Sequence, residues 1–79
     1  MSHRRVVSWK VLRRALEARG VVIDHRGSEA KLLRREPDGT TSVYILQHEC
    51  CRSGSSTVWA THLSRIKRKF ALTDDDLSK

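Results

Sequence analysis

Arg26-Gly27-Ser28-Glu29-Ala30-Lys31-Leu32-Leu33-Arg34-Arg35-Glu36-Pro37-Asp38-Gly39-Thr40-Thr41-Ser42-Val43-Tyr44-Ile45-Leu46-Gln47-His48 is the stretch that decides the fold. Two turns punctuate it. Gly27-Ser28 suits a two-residue hairpin. Pro37-Asp38-Gly39 suits a second reversal, since proline presets φ and glycine takes the left-handed geometry that other residues resist. Residues 29–35 and 41–48 read as strands. Ala30 and Leu32 share one face of the first, against Glu29, Lys31, Leu33 and Arg35, while Val43 and Ile45 alternate with Tyr44 and Leu46 in the second. Opposed residues of an antiparallel pair share a face. If Pro37-Asp38-Gly39 is the whole loop, Ser28 faces His48 and Glu29 faces Gln47; with one more loop residue, Glu29 faces His48. Both registers gather a hydroxyl, a carboxylate and an imidazole at one corner of the sheet. That corner is the candidate site.

Upstream of this hairpin pair, the β-branched run Val21-Val22-Ile23 begins a first strand over residues 21–25. Before it, Trp9, Leu12 and Leu16 recur at helical spacing, Val11, Ala15 and Ala18 widen the stripe, Ser8 is placed to cap the start and Gly20 the end. Trp9 reads as a core anchor. Residues 1–7, with Arg4 and Arg5, form a basic lead. Downstream, residues 49–56 are polar and Ser/Gly-rich and read as a loop holding two reduced thiols, Cys50 and Cys51. Residues 57–60 suit either a cover for the sheet or the start of a helix. A final helix follows, capped by Thr61, with Leu63, Ile66 and Phe70 on a narrow apolar stripe beside a cationic outer face. Asp74-Asp75-Asp76 suits the start of one last turn, where carboxylates are favoured.

The order α-β-β-β-α predicts an α+β, two-layer sandwich: a three-stranded antiparallel sheet with its helices on one face, in a single domain over residues 8–77. Double-stranded-RNA-binding domains share this architecture and read A-form helices by shape, 2′-hydroxyls and phosphates. At 79 residues the chain supports one modest core. Its net charge is +7 and uneven: residues 1–35 hold ten Lys/Arg against three Asp/Glu, residues 36–79 six against six. A basic small domain favours a polyanionic partner, and nucleic acid is the default. No apolar run is long enough for a membrane helix and no signal-peptide core opens the chain, so a cytoplasmic protein is expected. Adjacent cysteines are a poor geometry for a disulfide. His48, Cys50, Cys51 and His62 match no usual zinc spacing, so no metal and no cofactor is expected.

Four stretches together resemble the HicA toxins (YcfA-like mRNA interferases) of bacterial toxin–antitoxin modules: Leu16-Glu17-Ala18-Arg19-Gly20-Val21, Arg26-Gly27-Ser28, Pro37-Asp38-Gly39 with His48 closing the third strand, and His62-Leu63-Ser64-Arg65-Ile66-Lys67-Arg68-Lys69-Phe70-Ala71-Leu72-Thr73. In order and spacing they span residues 8–77. The resemblance implies a metal-independent mRNA endoribonuclease toxin with a cognate HicB-like antitoxin covering the active corner and part of the basic surface. The departure falls on the family's catalytic histidine after Gly-Ser, where this chain has Glu29. Three accounts fit: a degenerate RNA binder, a carboxylate that has taken over the chemistry, or a substitution made to silence a toxic enzyme.

Metal-free RNA cleavage needs a base for the 2′-hydroxyl proton and an acid for the leaving 5′-oxygen. Glu29 as base and His48 as acid form a chemically competent pair, since a carboxylate is ionised and an imidazolium can give up a proton near neutrality. Ser28 stands beside them, His25 is a substitute acid, and Arg26 or Lys31 would stabilise charge on the phosphate. A solvated ion-pair cluster is the alternative for the same residues. Arg13, Arg14, Lys67, Arg68 and Lys69 are the remaining candidates for RNA phosphate contact. The alternative function is a catalytically inactive double-stranded-RNA-binding or protein-interaction module on the same fold. DNA binding ranks third, because no helix-turn-helix pattern is present.

Overall fold

The computed structural model describes residues 6–27 and 29–77. The two turns fold the central stretch as their residues dictate. Gly27 and Gly39 take positive φ, +57° and +92°. The Glu36 N–H donates to the Thr40 carbonyl at 2.8 Å, closing a loop of Pro37-Asp38-Gly39, and Asp38 accepts from the Thr40 N–H and hydroxyl at 3.0 and 2.6 Å. Strands β2 (Val22–Arg26), β3 (Glu29–Arg35) and β4 (Thr41–Gln47) pair as an antiparallel meander in that order. Of the two registers, the shorter loop selects the one with Glu29 opposite Gln47 and Arg26.

That register sorts the sheet into two unlike faces. Ala30, Leu32 and Leu46 point inward and are fully buried, flanked by Ile23, His25 and Tyr44. Helices α1 (Trp9–Ala18) and α3 (Ala60–Phe70) cover this face with Trp9, Leu12, Ala15 and Leu16 from one and Leu63, Ile66 and Phe70 from the other. The predicted α+β architecture is therefore the observed one. The outer face carries an exposed apolar row, Val22 and Val43 on either side of Leu33, with Ile45 beside it; Val22 is 64% exposed and Ile45 43%.

Both long helices end in the same way. After α1, the Val21 N–H donates to the Leu16 carbonyl at 3.0 Å and the Gly20 N–H to Glu17 at 3.1 Å, with Gly20 at φ +80° and Val21 and Leu16 buried together. This is the Schellman arrangement. After α3, the Leu72 N–H donates to the Lys67 carbonyl at 2.9 Å, but the left-handed position is Ala71, at φ +55°. A Cβ there costs about 1–2 kcal/mol, partly offset by the greater chain entropy that glycine loses on folding. Ala71→Gly is accordingly expected to stabilise the fold by roughly 0.5–1 kcal/mol. Thermal melts should show a midpoint raised by about 2–8 °C.

Several boundaries differ from expectation. The lead ends earlier than residue 7: β1 (Val7–Ser8) pairs with β5 (Thr57–Val58) in a two-stranded ribbon, Val7 opposite Val58 and Ser8 opposite Thr57. Two-residue strands leave no periodicity to read. Ser8 still caps α1, accepting from the Val11 N–H at 3.4 Å. The first strand starts at Val22, because Val21 is held by the helix cap. Residues 49–56 are not all loop. β4 stops at Gln47 and α2 (His48–Cys51) follows, burying Cys50 and Cys51 in the core. Helix α3 begins at Ala60 with Trp59, not Thr61, at its cap, and the Trp59 carbonyl accepts from the Leu63 N–H at 2.9 Å. The acidic turn does form, as α4 (Asp74–Leu77). There Thr73 and Asp76 cap each other: the Thr73 N–H donates to Asp76 at 2.8 Å and the Asp76 N–H to the Thr73 hydroxyl at 3.3 Å. Arg19 grips the same carboxylate at 2.9 and 3.1 Å, joining the end of α1 to α4. These donors hold the Asp76 carboxyl below its usual range, the Thr73 N–H chief among them.

At the far end of the sheet Arg34 locks α3 in place. It donates to Glu36 at 2.9 and 3.3 Å and to the Phe70 carbonyl at 2.9 Å, and its guanidinium lies 5.5 Å from the Phe70 ring centre. Ser42 donates to Glu36 at 2.8 Å. Arg34 and then Ser42 hold the Glu36 carboxyl below its usual range.

Candidate nucleic-acid interface

Residues 51–56 turn back over the start of α1. Its first backbone N–H groups need acceptors, and the loop supplies them: the Trp9 N–H donates to the Ser56 carbonyl at 2.7 Å and the Lys10 N–H to Gly54 at 3.0 Å. The loop steadies itself through the Ser53 N–H, which donates to the Ser56 hydroxyl at 3.0 Å, and the Ser56 N–H, which donates to the Ser53 carbonyl at 3.0 Å. This fold-back opens a cleft of about 260 Å³ between α1, the edge strand β2 and the loop.

The cleft is cationic by construction. Lys10 and Arg13 lie three residues apart on α1, hence on one flank, beside the stripe that buries Trp9 and Leu12. Arg52 enters from the loop and His25 from the inner face of β2, its imidazole set edge-on to Trp9 with ring centres 5.8 Å apart at 82°. Among the described residues no carboxylate lines the cleft, and Lys10, Arg13 and Arg52 make no ion pair. Cys51 completes one wall. Its thiol donates to the Gln47 carbonyl at 3.3 Å, and burial, with Cys50 beside it, pushes its pKa up. Burial and the raised pKa both disfavour the reactive thiolate form.

The residues singled out from the sequence are distributed over three surfaces. Arg13 is in the cleft. Arg14 lies outside it, against a depression of about 110 Å³ next to Asp76. Glu29, Arg26 and Lys31 are on the outer sheet face, because they alternate with the inward Ala30 and His25. Glu29 is thus exposed, on the opposite side of the sheet from His25 and the cleft. Arg26 is held by Asp24 at 2.8 Å, and that carboxylate raises its pKa further. On α3, Lys67 is half-buried and paired with Asp74 at 2.6 Å, while Arg68 and Lys69 are exposed. Ser28 and the side chain of His48 lie outside the described part of the structure. Lys10 neighbours Arg13 on α1, and Arg52 joins them only in three dimensions. The three-residue spacing of Lys10 and Arg13 was visible in the chain, but the loop closure that delivers Arg52 was not.

The arrangement brings one ammonium, two guanidinium groups and an imidazole to the lining of a single cleft, the kind of donor set that phosphate recognition uses. Comparison with known proteins adds no relative: no protein-family model, no curated protein and no solved structure matches this chain. Among the described residues no helix is long and apolar enough to cross a membrane.

Proposed function

We propose that this protein is an RNA-binding domain of the HicA-like toxin type, which seats the RNA backbone in the cleft of Lys10, Arg13 and Arg52. The observation that carries the reading is the convergence of those three cations, from two separate parts of the chain, with no carboxylate among the lining residues. The charge of +7 supports a polyanionic ligand, and the resemblance over residues 8–77 favours RNA as that ligand. The same resemblance supplies a HicB-like antitoxin as the protein partner. The exposed Val22, Val43 and Ile45, with half-buried Leu33 among them, support a partner of that kind, since contiguous apolar surface marks interaction sites.

A metal-independent endoribonuclease is the second reading. It is favoured by His25, which stands in the cationic cleft where a proton could be delivered to a leaving 5′-oxygen. Glu29, across the sheet, would need RNA wrapped around the β2 edge to reach the same phosphate. One experiment separates the two. Purified protein is mixed with a long unstructured RNA in EDTA, beside His25→Ala, His48→Ala, Glu29→Ala and Glu29→His. The expected result is binding that falls steeply with salt and leaves the RNA intact in the parent protein. Products ending in 2′,3′-cyclic phosphate, lost in His25→Ala or His48→Ala, would replace the binder with the nuclease. Absence of binding at low salt would sink both.

A further inference from the structure

Across the sheet from the cleft, at the β4 edge, lies a second cluster that none of the roles above uses. Tyr44 on β4 and His62 in the first turn of α3 share a hydrogen bond of 2.6 Å between the phenol oxygen and Nδ1, their rings edge-on with centres 5.9 Å apart. Trp59 also packs against that imidazole, ring centres 5.7 Å apart and tilted by 32°. The two tryptophans differ sharply in setting. Trp9 is 2% exposed, whereas Trp59 is 47% exposed. The backbone of Trp59 is fixed by its carbonyl bond to Leu63, and its ring is backed by an imidazole that Tyr44 itself holds. A large aromatic ring is thus held at the surface, close to half of it open to water.

The charge around it is positive. Arg65 and Lys69 follow His62 at helical spacing along the same flank of α3; both are exposed, and among the described residues neither makes an ion pair. An exposed aromatic beside a line of flexible cations suits an unpaired nucleobase with its backbone: the base stacks and the phosphates follow the cations. We infer that Trp59, buttressed by His62 and Tyr44, is a nucleobase-stacking site, and that the RNA this protein takes is single-stranded at that point. The inference rests on the RNA-binding reading for its ligand class and adds strand preference, because the bases of an A-form duplex are stacked within the helix and closed to such a ring.

The test compares hexauridylate with a duplex of equal length. Trp59→Leu should weaken the single strand about tenfold and leave the duplex unchanged, as loss of one base–aromatic stack predicts. Trp59→Phe should restore most of the loss. Equal weakening on both ligands, or none on the single strand, overturns the inference. A second readout does not depend on the cleft. Adenosine monophosphate at millimolar concentration should shift the Trp59 indole N–H resonance of the intact protein, assigned through Trp59→Phe. No shift overturns the stacking site even if RNA is held in the cleft. A shift in a protein that binds no RNA keeps the nucleobase site and sinks the RNA-binding reading.

Discussion

Phe70→Ala is expected to remove about 3–5 kcal/mol of folding stability, the usual cost of emptying an aromatic site in a packed core. Phe70 is fully buried and is among the largest of the fully buried side chains. Its ring is gripped from outside as well, since Arg34 lies over it while also donating to its carbonyl and to Glu36. Deleting the ring leaves the Arg34 hydrogen bonds without the surface they close over. A chain of 79 residues has roughly 4–12 kcal/mol in total at the usual per-residue stability, so the substitution consumes a large share of it. Urea unfolding followed by circular dichroism should show a midpoint displaced far toward zero denaturant with an unchanged slope. Phe70→Leu, which keeps most of the volume, should cost much less. A loss under about 1 kcal/mol in Phe70→Ala would mean that α3 does not dock on the sheet through this ring. Because α3 also carries His62, Arg65 and Lys69, its undocking would scatter the cations of the β4 edge.

The parts of the fold that were legible in the chain are those with a repeating signal or a single dominant residue. Pro37-Asp38-Gly39 placed the turn between β3 and β4 and narrowed their pairing to two registers, of which the Glu36–Thr40 hydrogen bond selects the one with Glu29 opposite Gln47. Trp9, Leu12 and Leu16 placed α1, and Gly20 its end. Each of these is decided locally, by sterics or by a 3.6-residue period. The misses share the opposite property. His48-Glu49-Cys50-Cys51 is one helical turn, too short for periodicity, and what makes it helical is the burial of its two cysteines under other elements. β1 and β5 are two residues each and exist only because distant parts of the chain meet. The site divides along the same line. Arg13 could be named from its helix, but its neighbours Arg52 and His25 reach it through the closure of residues 51–56 over α1 and the facing of β2. Glu29 drew attention by its place after Gly27-Ser28, yet strand alternation sends it to the other face. Arg26 and Lys67 were candidates for phosphate contact, but Asp24 and Asp74 pair with them in the folded chain, partners that strand alternation and helix spacing do not single out.

Replacing Lys10, Arg13 and Arg52 together by glutamine should weaken binding of single-stranded RNA by roughly 100-fold at low salt, from about 1 kcal/mol at each position, because glutamine loses the charge of a contact worth about 1.5–3 kcal/mol but keeps an N–H donor. The more telling change is in the salt dependence. Each phosphate neutralised on a single strand contributes about 0.7 to the slope of log affinity against log salt, through release of a condensed counterion. Three lost contacts should therefore flatten that slope by about 2. Glutamine keeps the helix propensity of positions 10 and 13, so circular dichroism and the melting midpoint should stay near those of the parent. Lowering the net charge by three would by itself slow capture of a polyanion anywhere on the surface. The matched comparison is Arg14, Lys31 and Arg35 changed to glutamine, which removes the same charge from α1 and the outer sheet face. If the cleft is the seat of the backbone, the comparison protein loses only a few-fold and keeps most of its slope. Equal losses in the two proteins would mean that RNA responds to overall charge, and that the fold-back of residues 51–56 closes α1 without building a binding site. The distinction is physical: a diffuse field weakens in proportion to charge wherever it sits, whereas three cations lining one cleft of about 260 Å³ would act on neighbouring phosphates and fail together.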